Sequence, residues 1–376
     1  MTSPRRIYLD GNSLGPPAPG TAGALGALVE DWGRELIGGW NAGWWELPVT
    51  VGERIAPLVG AAPGQVVVAD STTVVWFKLS SVARRLRPDR RRIVTQSGGF
   101  PTNRHVLDVL DADVVAVAHD DVLGAIDGST GVVALAHVDY RTGHRHDLAA
   151  VSAAAHAAGA IALWDLSHSV GAMDLHLDEA QVDLAVGCTY KYLNGGPGSP
   201  AFAYVATRHL GAIVQPVPGW VGHTDPFSMS EVHVPATGIR RLLSGTPPVL
   251  ALRSLEHALT RFDGVDLAEL RRTSERLTQR AIERGDDLGL EVVTPREPSE
   301  RGSHVSLRHD HAWEVMQALI AAGVVGDVRP PDVLRFGFAP LYITESDVDE
   351  AFERLEEIIR HETWRPWLDT PRPTVT

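Results

Sequence analysis

Between Val66 and Val205 the chain repeats one unit: a short continuous apolar run, a turn, and a stretch with helical character. The runs are Val66 to Asp70, Ile93 to Gln96, Val114 to Ala118, Val132 to Val138, Ile161 to Leu166, Val182 to Val186 and Ala201 to Val205. They are largely apolar rather than strictly alternating, so both faces of most strands must be covered. Between them, Ser71-Thr72-Thr73 opens a helix through Val74 to Leu86, and Leu148 to Ala158 is an alanine-rich helix. This alternation predicts an α/β domain with a mostly parallel sheet flanked by helices. Ligands of such sheets bind beyond the carboxyl ends of the strands.

The pattern changes near Thr246-Pro247-Pro248. Amphipathic helices follow at Leu252 to Phe262 and Leu267 to Arg284, with others near Trp313 to Ala322 and Glu345 to Ile359. Strand-like pieces lie at Leu290 to Val293, Val305 to Arg308 and Val333 to Phe338. A smaller C-terminal α+β domain is expected, and 376 residues are enough chain for both. The expected division is an N-terminal segment 1–40 reaching the small domain and the site entrance, a large domain 41–248, and a small domain 249–376. In the first segment Leu25, Leu28, Val29, Trp32, Leu36 and Ile37 share one helical face, which assigns Trp32 to the core.

A net charge of −13 argues against a partner built of phosphate backbone, so no nucleic acid is expected. The single cysteine, Cys188, excludes an internal disulfide and a cysteine-rich zinc site. Met1 to Arg6 is short and basic with no apolar stretch behind it, and no run reaches the ~20 residues of a membrane span. A cytoplasmic enzyme without membrane contact is the expectation, with a polar, Pro-rich tail from Thr370 to Thr376 that frays. His144 and His146, in Gly-His-Arg-His-Asp, read as a solvated turn before a helix, and no metal is expected. The Gly-x-Gly-x-x-Gly, Gly-x-x-x-x-Gly-Lys-Ser/Thr and His-Glu-x-x-His signatures are all missing.

What remains is a set of strand-end residues. Asp165 ends an apolar run, and such a carboxylate is costly to bury unless a cation meets it. The next run ends just before Lys191, which lies between Tyr190 and Tyr192 and ahead of Gly195-Gly196-Pro197-Gly198. By itself Lys191 reads as a surface lysine on a Gly/Pro turn. Together with Asp165 it suits pyridoxal phosphate, whose aldehyde condenses with a lysine and whose ring nitrogen pairs with an acid. Ser71-Thr72-Thr73, at a strand-to-helix junction, offers hydroxyls and free N–H groups to the phosphate, and Phe100 a face for the ring. Trp40, Trp44 and Trp45 stand in a Gly-rich loop, suited equally to packing, a subunit contact or a flat aromatic ligand.

The sequence resembles the kynureninase family, pyridoxal-phosphate enzymes of the aspartate-aminotransferase fold type I. The resemblance runs through Tyr8-Leu9-Asp10-Gly11-Asn12-Ser13-Leu14-Gly15, Asp70 to Val74, Phe100-Pro101-Thr102, and His137 to Gly143. It continues through Trp164 to Ser169, Gly187 to Pro200, Gly219-Trp220-Val221-Gly222-His223, Gly245 to Pro248, and Leu334 to Tyr342. It implies hydrolysis of the Cβ–Cγ bond of L-kynurenine or its 3-hydroxy form, giving anthranilate or 3-hydroxyanthranilate and L-alanine. It implies Lys191 as the Schiff-base lysine, Asp165 at the pyridinium nitrogen, Phe100 on the ring and His168 beside it. Thr72, Thr73 and Tyr190 would hold the phosphate, with Trp220 and Thr246 supplied by the second subunit of a homodimer. Tyr190 would give the proton to Cβ, Arg335 would grip the α-carboxylate, and Trp44 and His223 would lie at the substrate.

Three positions depart from the family pattern. Asn103 stands where the family has Asp, Val75 where it has Asn, and Ala136 where it has a hydroxyl residue. They leave the cofactor core intact and touch its electrostatic tuning. Two other readings stay open: another pyridoxal-phosphate reaction, transamination or β-elimination, and a silent relative that only binds.

Overall fold

The computed structural model describes residues 5–372. The basic start and the end of the Pro-rich tail therefore lie partly outside the described residues. The chain opens with β1 (Ile7–Tyr8), and the central sheet follows as β2 (Val66–Val68), β3 (Arg92–Gln96), β4 (Asp113–Val117), β5 (Thr130–Ala136), β6 (Ile161–Asp165), β7 (Leu184–Gly187) and β8 (Phe202–Val205). Their order is β2-β8-β7-β6-β5-β3-β4. Every ladder from β7 to β4 is parallel, and β8 alone runs against its neighbours β7 and β2. The apolar runs thus form the mostly parallel sheet that their composition predicts.

The innermost strands β6, β7 and β8 are buried along their whole length. Packing on one face gathers Trp164, Tyr204 and Phe202 with Val51 and Ile55. On the other, Leu163, Leu184 and Val186 meet Trp76 and Leu79 of the helix Thr72–Leu86. Each such side chain contributes roughly 1.5–3 kcal/mol by leaving water. That helix starts where the hydroxyls predict: Ser71 is extended, and its Oγ accepts from Val74 N. Inside it, Lys78 is buried, pairs with Asp70 at 2.5 Å, and donates to Leu242 O at 2.8 Å and Ser244 Oγ at 2.7 Å.

The C-terminal strands are β9 (Glu291–Val292), β10 (His304–Arg308), β11 (Val324–Val325), β12 (Asp327–Arg329) and β13 (Val333–Gly337). Four of them form an antiparallel sheet, β12-β13-β10-β9, while β11 pairs in parallel with β1. Ile7 and Leu9 join a core otherwise drawn from residues 277–364. The helix Val249–Leu259 instead packs its Leu252, Leu255 and Leu259 into the core of the central sheet.

One expectation fails in the first helix, Thr21–Glu35. Only Leu28 of its apolar face is buried. Trp32 is 52% exposed and Ile37 80%, so Trp32 is not a core residue of the single chain. Helical periodicity reports that a face is to be covered, and this chain does not cover it from within.

Candidate active site

A cavity of about 220 Å³ opens at the carboxyl ends of the central strands, lined by Thr72, Thr73, Phe100, Asn103, Asp165, His168, Tyr190 and Lys191 among others. Each residue arrives by a separate route. Asp165 is the last residue of β6. Tyr190 and Lys191 follow β7, Thr72 and Thr73 begin the helix after β2, and Phe100 and Asn103 begin the helix Pro101–Asp108 after β3. Parallel pairing brings these ends to one edge.

The lysine loop is held from several sides. Thr189 Oγ1 donates to Pro200 O at 2.6 Å, Gly195 N to Thr189 O and Asn194 N to Lys191 O, each at 2.9 Å. The N-terminal turn closes over it, with Gly15 N donating to Tyr190 O at 2.7 Å. A Cβ at Gly15 would stand 2.2 Å from Lys191 O, so only glycine permits that approach.

Asp165 is buried, and each oxygen has a donor: Ser167 N at 2.9 Å on Oδ1, and Asn103 Nδ2 at 2.9 Å on Oδ2. Asn103 is itself placed by Trp76, whose Nε1 donates to its carbonyl at 3.1 Å. Lys191 Nζ lies 2.9 Å from His168 Nε2. Burial depresses the Lys191 amine below its ordinary value; Cys188 and Asp165 oppose that, and Arg335 and Arg329 add to it. Burial, followed by Lys191 and Arg335, also holds His168 well below the usual histidine range. Burial pushes the Tyr190 phenol up, with Cys188 and Asp165 contributing. Burial thus disfavours the charged form of both groups, the ammonium of Lys191 and the phenolate of Tyr190.

This donor set fits pyridoxal phosphate. A buried amine whose charged form burial disfavours, a carboxylate fixed by two donors, and two threonines at the N-terminus of a 15-residue helix share one cavity. His168 Nδ1 is buried there without a partner among the described residues. Phe100 lines the cavity, is 47% exposed and stands edge-on to Tyr140, with centroids 5.6 Å apart.

Of the other expected residues, Arg335 stands beside the cavity through Tyr140, and the rest lie elsewhere. Arg335, on β13, is 1% exposed and ion-paired with Asp327, with Nε to Oδ1 at 2.8 Å. It also donates to Tyr140 O and, at 2.8 Å, to Ser13 Oγ. The sequence reading missed Asp327; its signal was Asp-x-Arg in the run Asp327-Val328-Arg329, which faces Arg335 across β12 and β13. Trp220 packs on Trp45 and Phe227, and His223 hydrogen-bonds within its own loop to Asp225. Trp44 and Thr246 line a separate apolar groove with Trp32, Ile37 and Trp40. In a single chain none of these four reaches the Lys191 cavity.

The solvated turn expected at His144 and His146 is also corrected. His146 is 4% exposed, and its Nε2 lies 2.7 Å from Gln96 Oε1. The ring of His119 stacks on both histidines, with centroids 3.4 Å from His144 and 3.8 Å from His146. Residues two apart on an extended segment project to the same side, and the third ring slots between them.

Known proteins resemble the chain along nearly its whole length. The family model described as the kynureninase C-terminal domain matches residues 270–355. A kynureninase from Pseudomonas fluorescens is 45% identical over 388 aligned residues, covering 98% of this chain and 93% of that protein. One from Burkholderia pseudomallei (strain 1106a) is 44% identical over 387, with the same coverage. Among solved structures, the apo cysteine desulfurase from Thermococcus onnurineus NA1 superposes with a TM-score of 0.81 at 16% identity, covering 95% of each chain. A C-DES variant with glycine covalently linked to its PLP cofactor gives 0.82 at 16%, covering 94% of this chain and 96% of that one. The likeness to these two structures is one of fold, that of PLP-dependent fold type I enzymes.

Proposed function

The chain belongs to the kynureninase family, and we propose that it cleaves L-kynurenine, 3-hydroxy-L-kynurenine or both, with the cavity around Lys191 as its active site. It is a pyridoxal-phosphate-dependent hydrolase acting on carbon–carbon bonds in ketonic substances. The observation that carries the site assignment is the convergence of Lys191, Asp165, His168, Tyr190, Thr72 and Thr73 in one cavity.

Bound there, the cofactor supplies an aldehyde for the amine and a ring that draws electrons from the bonds of the attached amino acid. The chain's residues do the rest. Thr72 and Thr73, with Tyr190, hold the phosphate; Phe100 covers the ring. Asp165 receives the ring N–H on a carboxylate kept in place by Ser167 N and Asn103. Lys191, whose burial disfavours the ammonium form, takes and returns the proton at Cα. Water adds to the γ-carbonyl, and Tyr190 then gives its phenolic proton to Cβ as the Cβ–Cγ bond breaks, so that Cγ leaves as the carboxyl group of the anthranilate. Arg335 meets the α-carboxylate with the part of its guanidinium that Asp327, Ser13 and Tyr140 leave free.

The working unit is a homodimer with shared sites. The exposed apolar surface at Trp32, Leu36, Ile37 and Leu250 supports this, since a soluble chain rarely leaves such a patch uncovered. So does the distance of Trp44, Trp220, His223 and Thr246 from their own chain's cavity; a second copy would bring them, at least Trp220 and Thr246, to the partner's site. The division at 1–40, 41–248 and 249–376 is supported by the separate core of residues 277–364, while the helix Val249–Leu259 packs into the core of the central sheet and runs against a boundary at 248. No helix of the described residues is long and apolar enough to cross a membrane, and a cytoplasmic location is part of the proposal.

The test is a paired assay on holoenzyme with L-kynurenine and its 3-hydroxy form. Release of the corresponding anthranilate from one or both supports the reading and ranks the ring preference. Conversion of the amino acid by transamination or β-elimination instead would replace it.

A further inference from the structure

His304 begins β10 and is fully buried, yet neither ring nitrogen has a hydrogen-bond partner among the described residues. A buried polar group in that state calls for a physical account. The ring beside it is His168, with centroids 5.5 Å apart and planes at 58°. Two imidazoles at that separation can bring one nitrogen each to about 3 Å only when those nitrogens face one another, so the pairing requires rotation of the His304 ring while His168 Nε2 stays at Lys191. His168 has a nitrogen to offer: its Nε2 is at Lys191 Nζ, and its buried Nδ1 is unpartnered.

We propose that His304 is a positioning residue whose ring N–H donates to His168 Nδ1, fixing His168 as the tautomer that carries its proton on Nε2, aimed at the Lys191 amine. The proposal rests on the role given above to Lys191.

The direction of the chain follows from the charges around it. Lys191 is buried and faces Arg335 and Arg329, opposed by Asp165 and by Cys188; burial disfavours its ammonium form, and the base role given to it needs the free amine, whose lone pair can accept a donor from His168 2.9 Å away. His168 faces Lys191, Arg335, Arg329 and His304, which leaves it a neutral ring with one N–H to give. That N–H goes to the amine, and Nδ1 is then a buried lone pair in need of a donor. His304 faces Arg335, Arg329 and Lys191 with Asp327 opposing, and is neutral as well. Its N–H is the one at hand. Gly143 gives the ring its place: a Cβ there would stand 3.3 Å from His304 Nε2 on a backbone with φ of +77°. Without the donor, His168 turns over to the other tautomer, its lone pair faces Lys191, and protonation of the amine is favoured.

Two measurements test this. Histidine-selective ¹⁵N spectra of the wild-type holoenzyme saturated with L-alanine, assigned with His168→Gln, should show His168 protonated on Nε2 alone; a proton on Nδ1 overturns the proposal. In kinetics, His304→Phe should move the acid limb of kcat up by about one pH unit, the scale of one lost buried hydrogen bond, and His304→Gln, which keeps a donor, should restore it. An unmoved limb in His304→Phe, or an equal shift in both variants, also overturns it. The spectra need neither a folded His304→Phe nor turnover of kynurenine. A failed assignment of substrate and a failed tautomer are therefore separate results.

Discussion

Asn103 Nδ2 donates a 2.9 Å hydrogen bond to Asp165 Oδ2. The amide thus holds the carboxylate proposed to pair with the ring nitrogen, without adding a charge of its own.

Asn103→Asp exchanges that donor for a second carboxylate beside Asp165. Like charges so placed disfavour joint ionisation, so one of the pair takes up a proton. Cofactor binding is retained while kcat or the preference between the two kynurenines changes. Steady-state kinetics with both substrates checks this; unchanged constants would show the exchange to be neutral.

Asp327 and Arg335 are 3% and 1% exposed. Asp327→Asn leaves a buried guanidinium without its counter-charge, at a cost of about 3–5 kcal/mol. A urea midpoint lowered with an unchanged slope is the expected result. KM rises as well, because Arg335 loses the partner that orients it.

The His119 stack makes stability depend on acid. Burial, with His144 next, holds His119 down at about 4, and burial with His119 and His144 holds His146 at about 3. The unfolded chain takes up these protons near pH 6.5. Their contribution is therefore present above about pH 6.5 and is lost as pH falls toward 4. His119→Phe keeps a flat ring in the stack and removes one titration. Urea midpoints at pH 7 and pH 5 should then differ less than in the wild type.

Trp32 and Ile37 are exposed on the first helix. If a second copy covers them, Trp32→Ser with Ile37→Ser yields monomers by sedimentation velocity. Activity falls with dimer content, and mixing with wild-type chains restores part of it. A wild type that sediments as a monomer would remove the basis for shared sites.

Much of this architecture was legible in the residues. Continuous apolar runs with short turns dictate buried parallel strands, so the ends bearing Asp165, Lys191, Thr72 and Asn103 could be assigned to one edge before any contact was known. Contacts made by distant segments were not legible. Asp327 meets Arg335 only through the β12–β13 pairing, and His304 reaches His168 because two sheets abut. The stack of His119 between His144 and His146 joins segments more than twenty residues apart, and no local pattern signals it. Trp32 failed for a different reason: periodicity marks a face that is to be covered, not the molecule that covers it.

The central claim is tested most directly by stoichiometry. Holoenzyme incubated with L-kynurenine should release anthranilate and L-alanine in equal amounts, and Lys191→Ala should lose both the visible band of the bound cofactor and the reaction. A wild type that carries that band but forms neither product from L-kynurenine or its 3-hydroxy form would contradict the account.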